Sequence, residues 1–481
     1  MKRIAVIGAG PAGLTAGYKL AKAGMNVTVY EAESKVGGMA KTIELWGQKV
    51  DIGPHRFFSN ERRINELWLE VVQNEYAMIQ RLTRIYYKNK FFYYPLKAMD
   101  ALLNLGITEA TKCIISYLIS MAKTKIKSDD QKTFESWVVS RFGYRLYEIF
   151  FKTYSEKLWG ISCKDLDADF AAQRIKKLSL FEAVLNSIVG GKNNKHNTLV
   201  DQFAYPFGGT GTVYKKMSEI IQEMGGILHL SKPINGVVNK DKQITGIELE
   251  DGTIENFNHV ISTMPITTMV KSLKDTPIEV LTACEKLRFR NTILVYLEID
   301  AVDIFPDNWI YVHSPNMLCG RITNFRNWIP DLYNNKKTTI VCLEFWTNFN
   351  ESLWKKSETE LSELAREEML NTGLMGNGKI LNYFIYKIPR SYPVYNAGYK
   401  KNLNIIINHL KSLNGLTPIG RYGAFKYNNQ DHSILMGLLV ADNLINNKKH
   451  DLWQVNTDDE YQEEAKINAT GLEVSVLKMK T

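Results

Sequence analysis

The strongest constraint on the 481-residue chain lies at its start, where the apolar run Ile4-Ala5-Val6-Ile7 ends in Gly8-Ala9-Gly10-Pro11-Ala12-Gly13. The order is that of a strand, a tight turn and a helix N-terminus, and Leu14, Tyr18, Leu20 and Ala21 continue with helical spacing. Gly8 permits the turn, Gly10 lets the backbone approach a pyrophosphate, and Gly13 lets the helix pack close to the strand. Pro11 suits the first helical turn, where a backbone N–H has no helical partner to lose. The remaining N–H groups and the helix dipole face an anion. A second strand, Asn26-Val27-Thr28-Val29-Tyr30, ends in Glu31, 23 residues after Gly8, where an acid can accept both hydroxyls of an adenosine ribose. The alternative is an α/β turn that holds no ligand.

A second glycine pair follows in Ser34-Lys35-Val36-Gly37-Gly38-Met39-Ala40. A flavoprotein bends its chain at this point around the flavin pyrophosphate, whereas a nicotinamide-binding domain has no need of the pair, so FAD is the expected dinucleotide. Next comes Gly53-Pro54-His55, after a short strand. A histidine there could lie against an isoalloxazine ring or be purely structural.

The net charge is +9, but no long basic block or basic run interleaved with aromatics accompanies it; the best cluster is Lys123-Thr124-Lys125-Ile126-Lys127. Small phosphorylated ligands are therefore expected and nucleic acid is not. The five cysteines are scattered without metal-ligand or disulfide spacing, which suits a reducing cytoplasm. The most apolar later stretch, Cys113 to Met121, is too short to span a bilayer and is flanked by Lys112 and Lys123, so no transmembrane segment is expected.

From Glu61 to about Leu199 the pattern is mostly helical, with an aromatic hairpin (Tyr86-Tyr87, Phe91 to Pro95) set among the helices and a polar loop around Gly190-Gly191. Tyr205 to Thr212 leads into a helix from Tyr214 to Met224, and short strands over 228–230, 234–238, 244–249 and 260–262 read as the chain's return to the dinucleotide domain. Strands over 292–299, 309–313, 320–324, 338–345 and 380–386 predict a mainly antiparallel sheet. Gly420-Arg421-Tyr422-Gly423 then leads through Asn429-Gln430-Asp431-His432-Ser433 into a last helix, Ile434 to Leu444. The expected class is α/β. A discontinuous Rossmann-type FAD-binding domain (1–60, 201–265, 416–450) carries an inserted helical domain (61–200) and a mainly antiparallel β-sheet domain (266–415), with a tail over 451–481.

In this order the motifs resemble the amine-oxidase and protoporphyrinogen-oxidase class of flavoproteins. Within that class the chain is similar to UDP-galactopyranose mutases, and to the longer eukaryotic-type enzymes more than the compact bacterial ones. The segments that carry this likeness are Thr133-Phe134-Glu135-Ser136-Trp137, Tyr154-Ser155-Glu156-Lys157-Leu158-Trp159, Ala172-Gln173-Arg174 and Asn429-Gln430-Asp431-His432-Ser433. The resemblance implies an isomerase of surface-polysaccharide biosynthesis in which N5 of reduced FAD attacks the anomeric carbon of a nucleoside-diphosphate sugar. Pyranose and furanose forms exchange with no net redox change, and NADPH or NADH is a candidate external reductant.

The same resemblance implies that Arg174 and Arg321 grip the diphosphate through guanidinium forks and serve catalysis together with His55 at the flavin. Tyr392 and Tyr427 would bond the same phosphates, and Asn429 would contact the sugar. FAD contacts are implied for Gly8, Gly10, Pro11, Ala12, Gly13, Glu31, Gly37, Gly38, Met39, Val237, Gly420, Arg421 and Ser433. Two features depart from the pattern: Pro54 stands where these mutases usually carry a second glycine, and the loop between Tyr427 and Asn429 is shorter than in the eukaryotic-type enzymes. Two other readings stay open. An oxidoreductase of the same class would need an apolar substrate tunnel. A binder similar to Rab GDP-dissociation inhibitors would not need the intact glycine turn with Glu31. The sugar, its nucleotide and the oligomeric state are not set by the sequence.

Overall fold

The computed structural model describes residues 2–59, 61–94, 96, 98–126, 132–168, 202–456, 467–468 and 471–472. Its organising layer is a five-stranded sheet in the order Leu416–Pro418, His259–Ser262, Arg3–Ile7, Asn26–Tyr30, Ile227–His229, with every pairing parallel. Three distant stretches of chain thus build one sheet. Arg3–Ile7 and Asn26–Tyr30 are buried at every position after the first, as strands covered on both faces must be. The helix Pro11–Lys22 covers one face together with Gly211–Glu223 and Gln430–Ile445. It meets the last of these at Gly437, where a Cβ would stand 2.6 Å from the Ala12 carbonyl oxygen.

The second sheet has seven strands in the order Ile380–Val394, Arg288–Ile299, Thr339–Thr347, Arg321–Asn324, Trp309–Val312, Thr83–Tyr87, Lys90–Tyr93. It is antiparallel except where Trp309–Val312 runs parallel to Thr83–Tyr87. The aromatic hairpin read as lying among helices therefore extends this sheet. Pairing covers an edge that would otherwise expose a row of backbone groups, and it buries Ile85, Tyr86 and Phe92.

Helices between Arg62 and Trp159 form a further layer among the described residues. Two of the family-like segments serve this architecture. Thr133 and Ser136 form a reciprocal capping box for the helix Phe134–Phe142. Lys157 buries its ammonium and donates to the carbonyls of Val312, Ser314 and Cys319 at 3.2, 2.8 and 3.3 Å, tying the helix Thr153–Trp159 to the seven-stranded sheet.

Burial pushes His259 down to about 4 and His313 down to about 3, so both rings stay neutral in the fold. The unfolded chain, with histidine near 6.5, takes up these protons first, so stability falls as pH drops from about 6.5 towards 4. His55, lowered by burial to about 4, acts in the same sense, while the Asp51 carboxyl, pushed by burial up to about 6, acts with the opposite sign because the folded state keeps its proton longer; one such group offsets only part of the three histidines. Unfolding free energies from denaturation curves across this window should fall on acidification by about 3 kcal/mol per histidine before that offset. His313→Gln should flatten the slope. A stability profile that is flat between pH 6.5 and 4 would contradict this account.

Candidate cofactor and anion site

The glycine turn opens into a cavity of about 650 Å³ lined by Gly8, Gly10, Pro11, Ala12, Glu31, Gly38 and Met39 on one side and by the floor of the seven-stranded sheet on the other. The three fingerprint glycines have different physical reasons to lack a side chain. A Cβ at Gly13 would stand 1.9 Å from the Gly8 carbonyl oxygen, and one at Gly8 would stand 2.0 Å from Thr263 Oγ1. Those two positions are closed by the protein itself. Gly10 differs, because its backbone is extended (φ −84°, ψ −175°) and a Cβ there would meet nothing nearer than the Gly38 Cα at 3.8 Å. A side chain at Gly10 would intrude on the cavity, so the chain's own packing does not require this glycine and a closely bound ligand does. The helix N-terminus at Pro11 points its unpaired N–H groups at the same space.

Glu31 sits at the end of its strand and accepts the N–H groups of Ala9 at 2.7 Å and Glu33 at 3.0 Å. Burial raises its carboxyl above the usual range, with the Ala9 N–H and the Lys41 charge pulling it back. This set of a glycine turn, a helix N-terminus and a strand-end acid fits the pyrophosphate and ribose of FAD.

His55 is carried on a loop held from several sides. Asp51 is fully buried and accepts from Tyr205 Oη at 2.6 Å, Thr42 Oγ1 at 2.5 Å and the Thr210 N–H at 3.2 Å. Thr210 Oγ1 in turn donates to the His55 carbonyl at 2.7 Å, and Gln430 Nε2 donates to the carbonyls of His55 and Arg56. The His55 ring places Nε2 2.7 Å from the Ile52 carbonyl oxygen. A carbonyl only accepts, so Nε2 carries the proton and Nδ1 is the acceptor. Burial lowers His55 to about 4, and the charges of Arg321 and Arg421 add to that, so the ring is neutral at physiological pH.

Arg321 and Arg421 line the same cavity in different electrostatic states. Arg321 Nε and Nη2 both bond the buried Glu344 carboxylate at 2.6 Å. Burial disfavours the Arg321 charge, but Glu344 and neighbouring phenols outweigh it and hold the guanidinium protonated. Gly53, in the left-handed region at φ +84°, lets these groups converge: a Cβ there would stand 3.5 Å from Glu344 Oε1, 3.8 Å from His55 Nε2 and 4.0 Å from Arg321 Nη2. Among the described residues no acid forms an ion pair with Arg421. Its Nε and Nη1 donate to the carbonyls of Ser391 at 2.9 Å and Asn428 at 3.0 Å, and Nη2 is buried without a hydrogen-bond partner. The guanidinium lies 4.5 Å from the Tyr392 ring and 4.6 Å from the Tyr427 ring, and those rings stack with centroids 5.5 Å apart. Across the whole lining, seven Arg and Lys side chains face three carboxylates, so the cavity favours anions.

Of the residues expected at the site, Gly8, Gly10, Pro11, Ala12, Glu31, Gly38, Met39, His55, Arg321, Tyr392, Gly420, Arg421, Tyr427, Asn429 and Ser433 line the cavity together. Gly13 and Gly37 stand behind that lining: Gly13 packs on the turn, and Gly37 donates its N–H to the Ala9 carbonyl at 2.8 Å. Val237 is not brought to the cavity. Its side chain is in the core and its N–H bonds Ser272 Oγ at 3.0 Å, whereas Ile234, beyond a register shift on the same strand, does line the cavity. Arg174 lies outside the described residues. Glu344, Asp51 and Gln430 were missed. The signal for Glu344 was present as a lone acid inside the apolar run Thr339–Thr347. Replacing Gly13 by Ala should destabilise the fold, whereas Gly10→Ala should leave the melting temperature of the cofactor-free protein unchanged and abolish flavin retention, read by absorbance of the purified chains.

The flavin containing amine oxidoreductase model matches residues 11–371. Among solved structures, a reduced UDP-galactopyranose mutase superposes with a TM-score of 0.84 at 20% identity, covering 95% of this chain and 96% of that one. A putrescine oxidase variant superposes with a TM-score of 0.62 at 14% identity, covering 92% of this chain and 99% of that one. Both establish the fold alone. Curated relatives include protoporphyrinogen oxidase 2 of Arabidopsis thaliana, 42% identical over 66 residues, and an L-amino-acid oxidase of Notechis scutatus scutatus, 48% identical over 67 residues. Each match spans 14% of this chain and 13% of the relative. The family model covers most of the chain and includes the helix of the dinucleotide turn: the protein belongs to the flavin-containing amine oxidoreductase family.

Proposed function

We propose that the protein is a flavin-dependent mutase that interconverts the pyranose and furanose forms of a nucleoside-diphosphate sugar. The observation that carries this reading is the cavity floor beyond the glycine turn, where Arg421 holds a buried, unpartnered N–H beside two stacked tyrosine rings and Arg321 lines the same cavity. A diphosphate oxygen satisfies that donor, and the surplus of cationic side chains balances the phosphate charge. A cationic amine substrate has no use for such a lining.

Bound FAD in its reduced form would supply the nucleophile for the anomeric carbon. The chain's residues do the rest. Gly10 and the helix N-terminus at Pro11 hold the cofactor pyrophosphate, and Glu31 the ribose. Asp51, Thr210 and Gln430 fix the loop that presents neutral His55, whose Nδ1 can accept a proton or a hydroxyl hydrogen bond. Tyr392 keeps its phenol proton, since burial raises it above the usual tyrosine range, and so donates to anionic oxygens; Tyr427 lines the cavity beside it. Arg321, tied by Glu344, offers its remaining Nη1 edge. These roles, with a place in surface-polysaccharide biosynthesis, make up the proposal.

Under dithionite, the protein should exchange ring isomers within a panel of UDP- and dTDP-sugars without consuming reductant per turnover, as followed by chromatography. Stoichiometric hydrogen peroxide with an oxidised product would instead assign it to the oxidases. Arg421→Ala should weaken nucleoside-diphosphate binding by about 2–5 kcal/mol, and unchanged flavin content would separate this role from the FAD contact that the resemblance implies for Arg421. Arg321→Ala alone would strand the Glu344 carboxylate at a cost of about 3–5 kcal/mol in stability. The informative variant pairs Arg321→Met with Glu344→Gln, which should fold and lose turnover. Nucleotide affinity that survives both the Arg421 change and this pair would refute the diphosphate assignment.

A further inference from the structure

The helix Ile107–Ile126 is amphipathic in the wrong sense for a water-facing surface. Its inward positions, packed on the helices Phe134–Phe142 and Tyr144–Tyr147, are small or polar: Cys113 and Ser120 are buried, and Ser116 Oγ accepts the Arg145 N–H at 3.0 Å. Gly143 brings the backbones so close that a Cβ there would stand 2.7 Å from the Tyr117 nitrogen. The aliphatic residues point outward. Ile107 is 88% exposed, Ile114 47%, Ile115 51%, Leu118 57% and Ile119 51%. At helical spacing these five fall on one side, and Leu103, 74% exposed, precedes them on the adjoining helix. Scattered exposed aliphatics are ordinary on a soluble surface, but a contiguous stripe is not.

The charge around the stripe has one sign. Between Ile107 and Lys123 the exposed charged residues are Lys112 and Lys123. The nearby acid, Glu109, is turned to Lys112 and Arg145. The Thr111 hydroxyl is spent on the Ile107 carbonyl at 2.8 Å, so the stripe presents little to a hydrogen-bonding protein partner. No described helix is long and apolar enough to cross a membrane.

We propose that this face docks on an anionic lipid bilayer, with the helix lying in the interface, its aliphatic side among the acyl chains and its lysines at the headgroup phosphates. The acyl boundary asks for no hydrogen bonds, and the lysines match the negative surface. Both requirements agree with what the helix presents.

Vesicle flotation of the full chain tests this. The protein should float with phosphatidylcholine vesicles containing phosphatidylglycerol, stay behind with phosphatidylcholine alone, and detach as salt rises. Ile115→Glu combined with Leu118→Glu should abolish flotation at unchanged melting temperature. Lys112→Gln with Lys123→Gln should weaken it by about 25-fold. A wild-type chain that never floats, or a Glu variant that floats equally well, would overturn the proposal. So would a lipid-free dimer that the Glu pair dissociates in sedimentation, since the stripe would then belong to a second copy of the chain.

Discussion

Everything at the cavity depends on how closely the first helix approaches the first strand. With Gly13 set against the Gly8 carbonyl and Gly8 against Thr263 Oγ1, there is no room for one methyl group at either point. That contact fixes the angle at which the helix N-terminus meets the cavity. It also explains why the chain returns to the same sheet edge at His259–Ser262: Thr263 Oγ1 donates to the Ile7 carbonyl at 2.8 Å and seals the turn from the other side. Gly420 closes against Ala12 in the same way, where a Cβ would stand 3.1 Å from the Ala12 methyl. The proposed pyrophosphate site is thereby built from three separate parts of the chain, held in contact at Gly8, Thr263 and Gly420.

The second determinant is a buried carboxylate that never reaches the ligand. Asp51 would be costly in the core if unpaired, but three donors from Thr42, Tyr205 and Thr210 surround it. Because those donors belong to the first hairpin, to the strand Gln202–Pro206 and to the turn after it, Asp51 binds the returning chain to the loop that carries His55. Gln430, at the start of the last helix, holds the same loop from the opposite side and is itself held by Tyr214 at 2.6 Å. His55 is thus positioned by hydrogen bonds to its backbone and ring, and its neutrality follows from burial beside two guanidiniums.

Electrostatics divide the two arginines. In a low-dielectric wall an unpaired guanidinium is expensive and a bidentate carboxylate partner restores most of the loss, which is the state of Arg321 with Glu344. Arg421 is stabilised more weakly, by two carbonyls and two aromatic faces, and keeps one donor unmet. On the proposed diphosphate reading, a bound anion would gain more at Arg421, whose Nη2 is unmet, than at Arg321, which Glu344 already holds.

What the sequence by itself determined was local. The glycine turn, the acid at the end of the second strand and the alternation of the sheet strands were legible because each is a pattern within about ten residues, read through backbone sterics and side-chain periodicity. The convergence of His55, Arg321, Tyr392, Arg421 and Tyr427 on one cavity was expected only through resemblance, since no spacing within the chain encodes it. The tertiary structure alone decided the rest. It pairs Trp309–Val312 with Thr83–Tyr87, neutralises Arg321 with Glu344, buries Asp51, and removes Val237 from the cavity to the core. It also turns the aliphatic side of Ile107–Ile126 outward, although hydrophobic periodicity would assign that side to the core. Periodicity reports that a face is apolar; which face meets the protein depends on distant backbone contacts such as Gly143 against Tyr117.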